Sequence, residues 1–151
     1  MADLNNPSSD RESELNMALE AMYFGFKAFI AKPDERLSEL SMARVHHRIL
    51  YFVGRNPECS VSELLQKLGA TKQYINQPLR RLIESGYVET CADDTDRRIK
   101  RLSLSARGST LENELSSAQR DQFARIFREA TPEAENGWRE VMALLIKHPG
   151  E

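Results

Sequence analysis

Lys72, Gln73, Asn76, Gln77 and Arg80 fall on one face of a segment whose other face carries Ile75, Leu79 and Leu82. Side-chain amides can pair bidentately with adenine, and arginine with guanine. A face of amides and cations without an acid therefore suits the reading of base edges in a major groove. The plain alternative is a solvated helix face. Further on, Arg97 and Arg98 sit in a polar stretch where a hairpin would turn. Long cations at a hairpin tip can enter a minor groove. Lys100 and Arg101 follow, placed to meet phosphates, which position a duplex without specifying its sequence. For Asp96 and Arg98 the alternative is an ordinary surface ion pair of little energetic weight.

Other reactive groupings are sparse. Cys59 and Cys91 form neither a disulfide framework nor a zinc pattern, and read as free thiols in or near the core. His46 and His47 would project about 100° apart on a helix and cannot share one ion as an i, i+4 pair does. No Ser/Cys–His–acid set stands in a recognisable context, and no glycine-rich phosphate loop is present. The expectation is a chain that is not an enzyme and has no metal site or cofactor.

The elements that must hold these residues follow from periodicity and caps. A polar segment over residues 1–9 is expected to be disordered. A first helix should run from Asp10 to Ala31 with Leu15, Leu19, Met22, Phe26 and Phe29 as its apolar stripe, ended by Lys32-Pro33. A second begins near Leu40-Ser41 and stops before Asn56-Pro57. Ser60 with Glu63 reads as a capping box opening a short third helix that Gly69 closes. Thr71 then caps a fourth. Two short helices joined by Gly69-Ala70-Thr71 make a helix-turn-helix.

The apolar period then changes from helical to alternating. Tyr87–Cys91 and Ile99–Leu104 read as strands about a polar turn, Asp93 to Asp96, so the helix-turn-helix gains a wing. Ser105 caps a long helix to about Ala130, and Thr131-Pro132-Glu133 starts the last one. Pro78, seven residues past its cap, should kink the fourth helix or leave its first turns irregular. The class is mainly α with a small β-hairpin wing, a winged helix-turn-helix flanked by terminal helices. Residues 10–151 form one protomer: 10–40 and 105–148 are the flanking helices, and 41–104 the winged module.

Composition bounds the partners. Twenty-one basic and twenty-three acidic residues among 151 exclude a generally polybasic binder. The charge is nevertheless uneven: residues 71–107 carry eight basic groups against five acids, and residues 1–20 one against five. A basic middle between acidic ends suits a central module that meets phosphates. The N-terminal stretch lacks a signal-peptide pattern and no apolar run reaches spanning length, so a soluble, cytoplasmic protein without a membrane partner is expected.

The run DDTDRRIKRLSLSARG, residues 93–108, together with VSELLQKLGATKQYINQPLRRLIESGYV, resembles the MarR family of bacterial transcriptional regulators over residues 10–148. The wing signature falls on Asp93, Asp96, Arg98, Leu104, Ser105 and Gly108. The resemblance implies a homodimer held by the first and last two helices. It also implies a pseudo-palindromic double-stranded DNA site, contacted from Thr71, Lys72, Gln73, Asn76, Gln77, Arg80, Arg97, Arg98 and Lys100, with Asp96 positioning Arg98. The apolar stripes of the terminal helices independently ask for a partner chain or for intrachain packing. The family further implies a repressor relieved by a small aromatic ligand in a cleft, for which Tyr23, Arg44, His47 and Tyr51 are the polar candidates. The competing function is a winged-helix protein-interaction module without DNA binding, favoured by the expected kink at Pro78.

Overall fold

The first helix, α1 (Pro7–Glu39), is longer than expected at both ends in the computed structural model, which describes residues 7–150. Of the segment expected to be disordered, residues 1–6 lie outside the described residues, whereas 7–9 form the opening turn of α1. Pro7 takes the first helical position, and Asp10 places an acid against the N-terminal dipole. The expected stop at Lys32-Pro33 is also corrected. Proline at 33 has no N–H for the Phe29 carbonyl, four residues back. That carbonyl accepts instead from Gln119 Nε2 at 3.4 Å, and the Ala28 carbonyl accepts from Gln122 Nε2 at 3.3 Å. With its freed acceptor satisfied from another helix and Pro33 itself buried, α1 continues to Glu39.

The remaining elements are α2 (Arg44–Arg55), β1 (Cys59–Ser60), α3 (Val61–Leu68), α4 (Lys72–Glu84), β2 (Val88–Ala92), β3 (Lys100–Leu104), α5 (Ala106–Glu129) and α6 (Pro132–Lys147). Helix α2 starts later than expected because Ser41, at φ 54°, and Met42 make a turn whose N–H groups bond back to Ser38 and Leu37. The caps at Ser60, Thr71, Ser105 and Thr131 all form, each oxygen accepting the N–H three residues on. The hairpin becomes a three-stranded antiparallel sheet in the order β1-β3-β2, with Cys59 opposite Leu102 and Val88 opposite Leu104. Cys59 is buried as expected; Cys91, on the outer strand, is exposed instead, because β2 is exposed on both sides beyond Val88.

One core joins the parts. Leu37 of α1, Ile49, Leu50 and Val53 of α2, Leu64 of α3, Ile75 and Leu82 of α4, Leu102 of β3, and Leu111 and Leu115 of α5 are all buried together. Gly108 is where α5 meets the sheet: a Cβ there would lie 1.9 Å from the Tyr87 carbonyl oxygen. Outside this core the apolar faces of α1 and α6 stay open, with Leu19 70% and Ile146 74% exposed. Intrachain packing does not cover them. No helix among the described residues is long and apolar enough to cross a membrane.

Candidate nucleic-acid interface

Helices α3 and α4 are set by local chemistry. Ser60 Oγ accepts from Glu63 N at 3.1 Å while the Glu63 carboxylate reaches back to Ser60 N at 3.4 Å. Gly69, at φ 60°, occupies the left-handed position that ends α3 and turns the chain into the Thr71 cap. Helix α4 runs from Lys72 through Pro78 to Glu84, so of the two expected outcomes the irregular first turns are absent. Only one backbone bond, to the Tyr74 carbonyl, is lost, and the buried Ile75, Leu79 and Leu82 hold the helix on both sides of it. Opposite that buried edge, Lys72, Gln73, Asn76, Gln77 and Arg80 are all exposed, as is Thr71.

The wing turn is built around two carboxylates. Asp93 Oδ2 accepts from Thr95 N at 3.2 Å, Thr95 Oγ1 at 2.7 Å and Asp96 N at 3.0 Å, while its Oδ1 accepts from Arg101 Nε at 3.0 Å. The Thr95 hydroxyl, the Asp96 N–H and the Arg101 guanidinium together hold its carboxyl far below the usual range. Arg101 also reaches Glu63 at 3.3 Å, tying the wing to the first turn of α3. Arg101, expected to face phosphate, is thus held between two carboxylates of the protein and keeps 30% of its side chain exposed. Asp93 is an organiser that the sequence pattern named without a role, and Arg101 bridges it to Glu63.

Asp96 pairs with Arg98 as a fork: Nε to Oδ1 at 3.0 Å, Nη2 to Oδ2 at 3.0 Å, with Arg98 N also on Oδ1 at 3.1 Å. These bonds lower the Asp96 carboxyl pKa and raise that of Arg98. The pairing orients the Arg98 side chain without covering it, since it stays 91% exposed. Arg97 and Lys100 are exposed alongside. The cations of the wing and the polar face of α4 therefore lie on one small module.

A second concavity, an open cleft of about 720 Å³, lies among α1, α2, α5 and α6. Three of the four polar candidates, Arg44, His47 and Tyr51, line it; Tyr23 does not, standing exposed on α1 beside Phe24 and under Lys27. One wall is aromatic: Phe29, Phe127 and Trp138 each lie within 5.4 Å, centroid to centroid, of the Phe123 ring. Cations line it too: Arg44, Arg48 and Arg55 of α2, Arg120 of α5 and Arg139 of α6. Arg44 is paired with Asp34 at 3.1 Å, and Arg55 with the buried Glu112 at 3.3 Å.

His47, half-buried, lines the cleft beside Ser116. The Ser116 hydroxyl gives its one hydrogen to Glu112 Oε1 at 2.9 Å, so at 3.1 Å His47 Nε2 is the donor to Ser116 Oγ. Burial, ahead of any neighbouring charge, lowers the pKa of His47. Glu112 and Ser116 were missed in the sequence because they lie on a helix face that reads as polar; only the buried Leu111 and Leu115 beside them signal that it turns inward.

Comparison with known proteins agrees with this geometry. The MarR family profile matches residues 40–99, from the end of α1 through the wing turn. The HTH-type transcriptional regulator PetP of Rhodobacter capsulatus is 37% identical over 151 residues, covering 97% of this chain and 91% of that protein. Among solved structures, Streptococcus pneumoniae FabT in complex with DNA superposes with a TM-score of 0.75 at 17% identity, covering 90% of this chain and 95% of that one. S. aureus MepR in its DNA complex superposes at 0.71 and 14% identity, covering 85% and 95%. These two likenesses bear on the fold. With a regulator similar along nearly its whole length and the family profile lying across helix-turn-helix and wing, the chain belongs to the MarR family of winged-helix transcriptional regulators.

Proposed function

We propose that the protein is a homodimeric repressor that reads a pseudo-palindromic duplex and is released from it by a small aromatic ligand. The observation that carries the DNA reading is the exposed face of α4, Lys72, Gln73, Asn76, Gln77 and Arg80, standing on the same module as the exposed wing cations Arg97 and Arg98. Each α4 enters a major groove and each wing the flanking minor groove, with Lys100 on phosphate. Dimerisation is supported by the uncovered apolar faces of α1 and α6, whose Leu19, Met22, Val141 and Leu145 a second copy would bury. The cleft supports the ligand reading. Its aromatic wall suits a ring, and Arg48 with Arg44 suits a negative charge on that ring. A protein-binding module without DNA activity would draw its support from a kink at Pro78, and the exposed wing cations Arg97, Arg98 and Lys100 argue against it.

The test is selection of bound duplexes from a random pool, followed by titration of the recovered site at several salt concentrations. The expected result is an inverted repeat whose affinity falls steeply with salt, as phosphate neutralisation requires. Arg98→Ala should weaken that binding while leaving melting and dimerisation unchanged. Failure to enrich any sequence, with salt-insensitive binding, would overturn the proposal.

A further inference from the structure

We propose that Arg81 sets the aim of the recognition helix against α1, and so the half-site spacing that the dimer accepts; this rests on the dimeric reading above. Arg81 lies on the flank of α4 away from the DNA-facing residues. Its Nη2 donates to the Leu40 carbonyl at 2.9 Å and its Nη1 to the Ser41 carbonyl. Both acceptors stand just past the end of α1, where a helix has no further N–H groups to offer its last carbonyls. The N–H groups of Leu40, Ser41 and Met42 all point back to carbonyls of Leu37 and Ser38, so the turn is closed on its helix side and open on the side Arg81 fills. A cation there also complements the negative end of the helix.

The geometry of the contact makes it directional. A planar guanidinium that donates to two successive carbonyls fixes an angle as well as a distance. Tyr74, two turns earlier on the same flank of α4, lines an open cleft that Ser38 and Met42 also line. Buried His46 sits beside the clamp. Its Nδ1 accepts from Ala43 N at 3.0 Å, and burial, with Arg81 nearby, favours its neutral form.

The other end of the linkage is α1 itself. This one continuous helix carries the uncovered apolar face at its N-terminal half and is held to α5 by Gln119 and Gln122 on the Phe29 and Ala28 carbonyls. The buried Ile75, Leu79 and Leu82 of α4 join the core shared with Leu37, Leu111 and Leu115, and Arg81 adds to that apolar packing a directional polar bond at the α1 terminus. A change in that bond rotates the reading face relative to the dimer axis and leaves the face itself intact.

The experiment uses the palindrome selected by the parent protein, the same palindrome with one base pair inserted or removed at its centre, and a single half-site. Binding is measured by anisotropy at one salt concentration. One base pair moves the second half-site by about 3.4 Å and turns it by roughly 35°, so the parent should lose at least about tenfold on either altered duplex. In Arg81→Ala the palindrome should bind about tenfold more weakly and the spacing penalty should shrink to within about threefold, with half-site affinity unchanged. Arg81→Lys, which can serve one carbonyl only, should fall between, and it decides the question if the alanine variant melts below assay temperature. An equal loss on every duplex with the spacing penalty intact would overturn the inference and leave Arg81 a stabilising residue. A half-site loss as large as the palindrome loss would also overturn it. A parent protein indifferent to spacing would instead sink the dimeric reading, and this inference with it.

Discussion

Replacing Gly108 by alanine should cost the protein more than any surface change near the wing, and the structure sets the size of the effect. The new Cβ would stand 1.9 Å from the Tyr87 carbonyl oxygen and 2.9 Å from its carbon, where ordinary contact begins at 3.4 Å. The first turn of α5 must therefore lift about 1.5 Å from the start of β2. At that seam Ser105 N donates to Tyr87 O at 3.0 Å and Ser105 Oγ to Gly86 O at 2.6 Å. Losing both removes about 1 kcal/mol each, and overpacking adds about 1–3 kcal/mol. Alanine's better helix propensity returns up to about 1 kcal/mol. The net loss is about 2–4 kcal/mol, or a fall in Tm of roughly 5–15 °C for a chain of this length. Circular-dichroism melts at one protomer concentration measure it. Gly137→Ala on α6 is the comparison: nothing in the same protomer lies within 4 Å of where its methyl group would stand, so Tm should fall far less than for Gly108→Ala. A fall of less than about 2 °C for Gly108→Ala would refute the argument that this backbone approach is tight.

Asn76→Ala, Gln77→Ala and Arg80→Ala should each relax preference at particular base pairs by about 1–3 kcal/mol, whereas Lys100→Ala should weaken all duplexes alike and flatten the salt slope by about one. Competition against single-base variants of the site separates the two patterns; uniform losses for the first three would place them on the backbone. A histidine whose pKa is lowered on folding contributes stability that is complete above its unfolded value, about 6.5, and is lost as pH falls through the folded value. His47 should therefore weaken the protein as pH drops below about 6.5, and His47→Gln should reduce that slope in denaturant midpoints while His46 keeps the remainder. An unchanged slope would mean that His47 stays solvated. Pro78→Val restores an N–H for the Tyr74 carbonyl and should stabilise α4 by about 1–2 kcal/mol without altering base preference, since the helix is already continuous. A lower Tm would show that ring packing outweighs the recovered bond.

Legibility followed the range of the interactions. The caps at Ser60, Thr71, Ser105 and Thr131 and the left-handed Gly69 each depend on residues within a turn of one another, and each is written in a short string of residue types. The fork between Asp96 and Arg98 is of the same kind. Helix α1 outruns its proline because of Gln119, which is remote in sequence and unmarked by any local signal. Strand β1 has only two residues, and its existence depends on Leu102 and Arg101 across the sheet. The same distance hid the bridging role of Arg101, which looks like one more wing cation until Glu63 and Asp93 are placed around it. In the cleft, Arg44, His47 and Tyr51 came from one helix, whereas the facing aromatics of α5 and α6 could be joined to them only by tertiary packing.

The shared core has a consequence for how the chain folds and diversifies. Leu37, Leu111 and Leu115 lie outside the winged segment in sequence, yet they are buried against Ile49, Leu50 and Val53 within it. A fragment trimmed to residues 41–104 would expose what those leucines cover and lose the Leu40 half of the turn that Arg81 grips. Native assembly must therefore wait for α5, synthesised after the wing, to dock before the helix-turn-helix is secure. Folding should be a single cooperative event, without a stable intermediate in which the reading head is formed alone. For the same reason the reading head cannot be exchanged between proteins as a cassette: its base-contacting face is free to vary, while its inner face is committed to the helices that carry it.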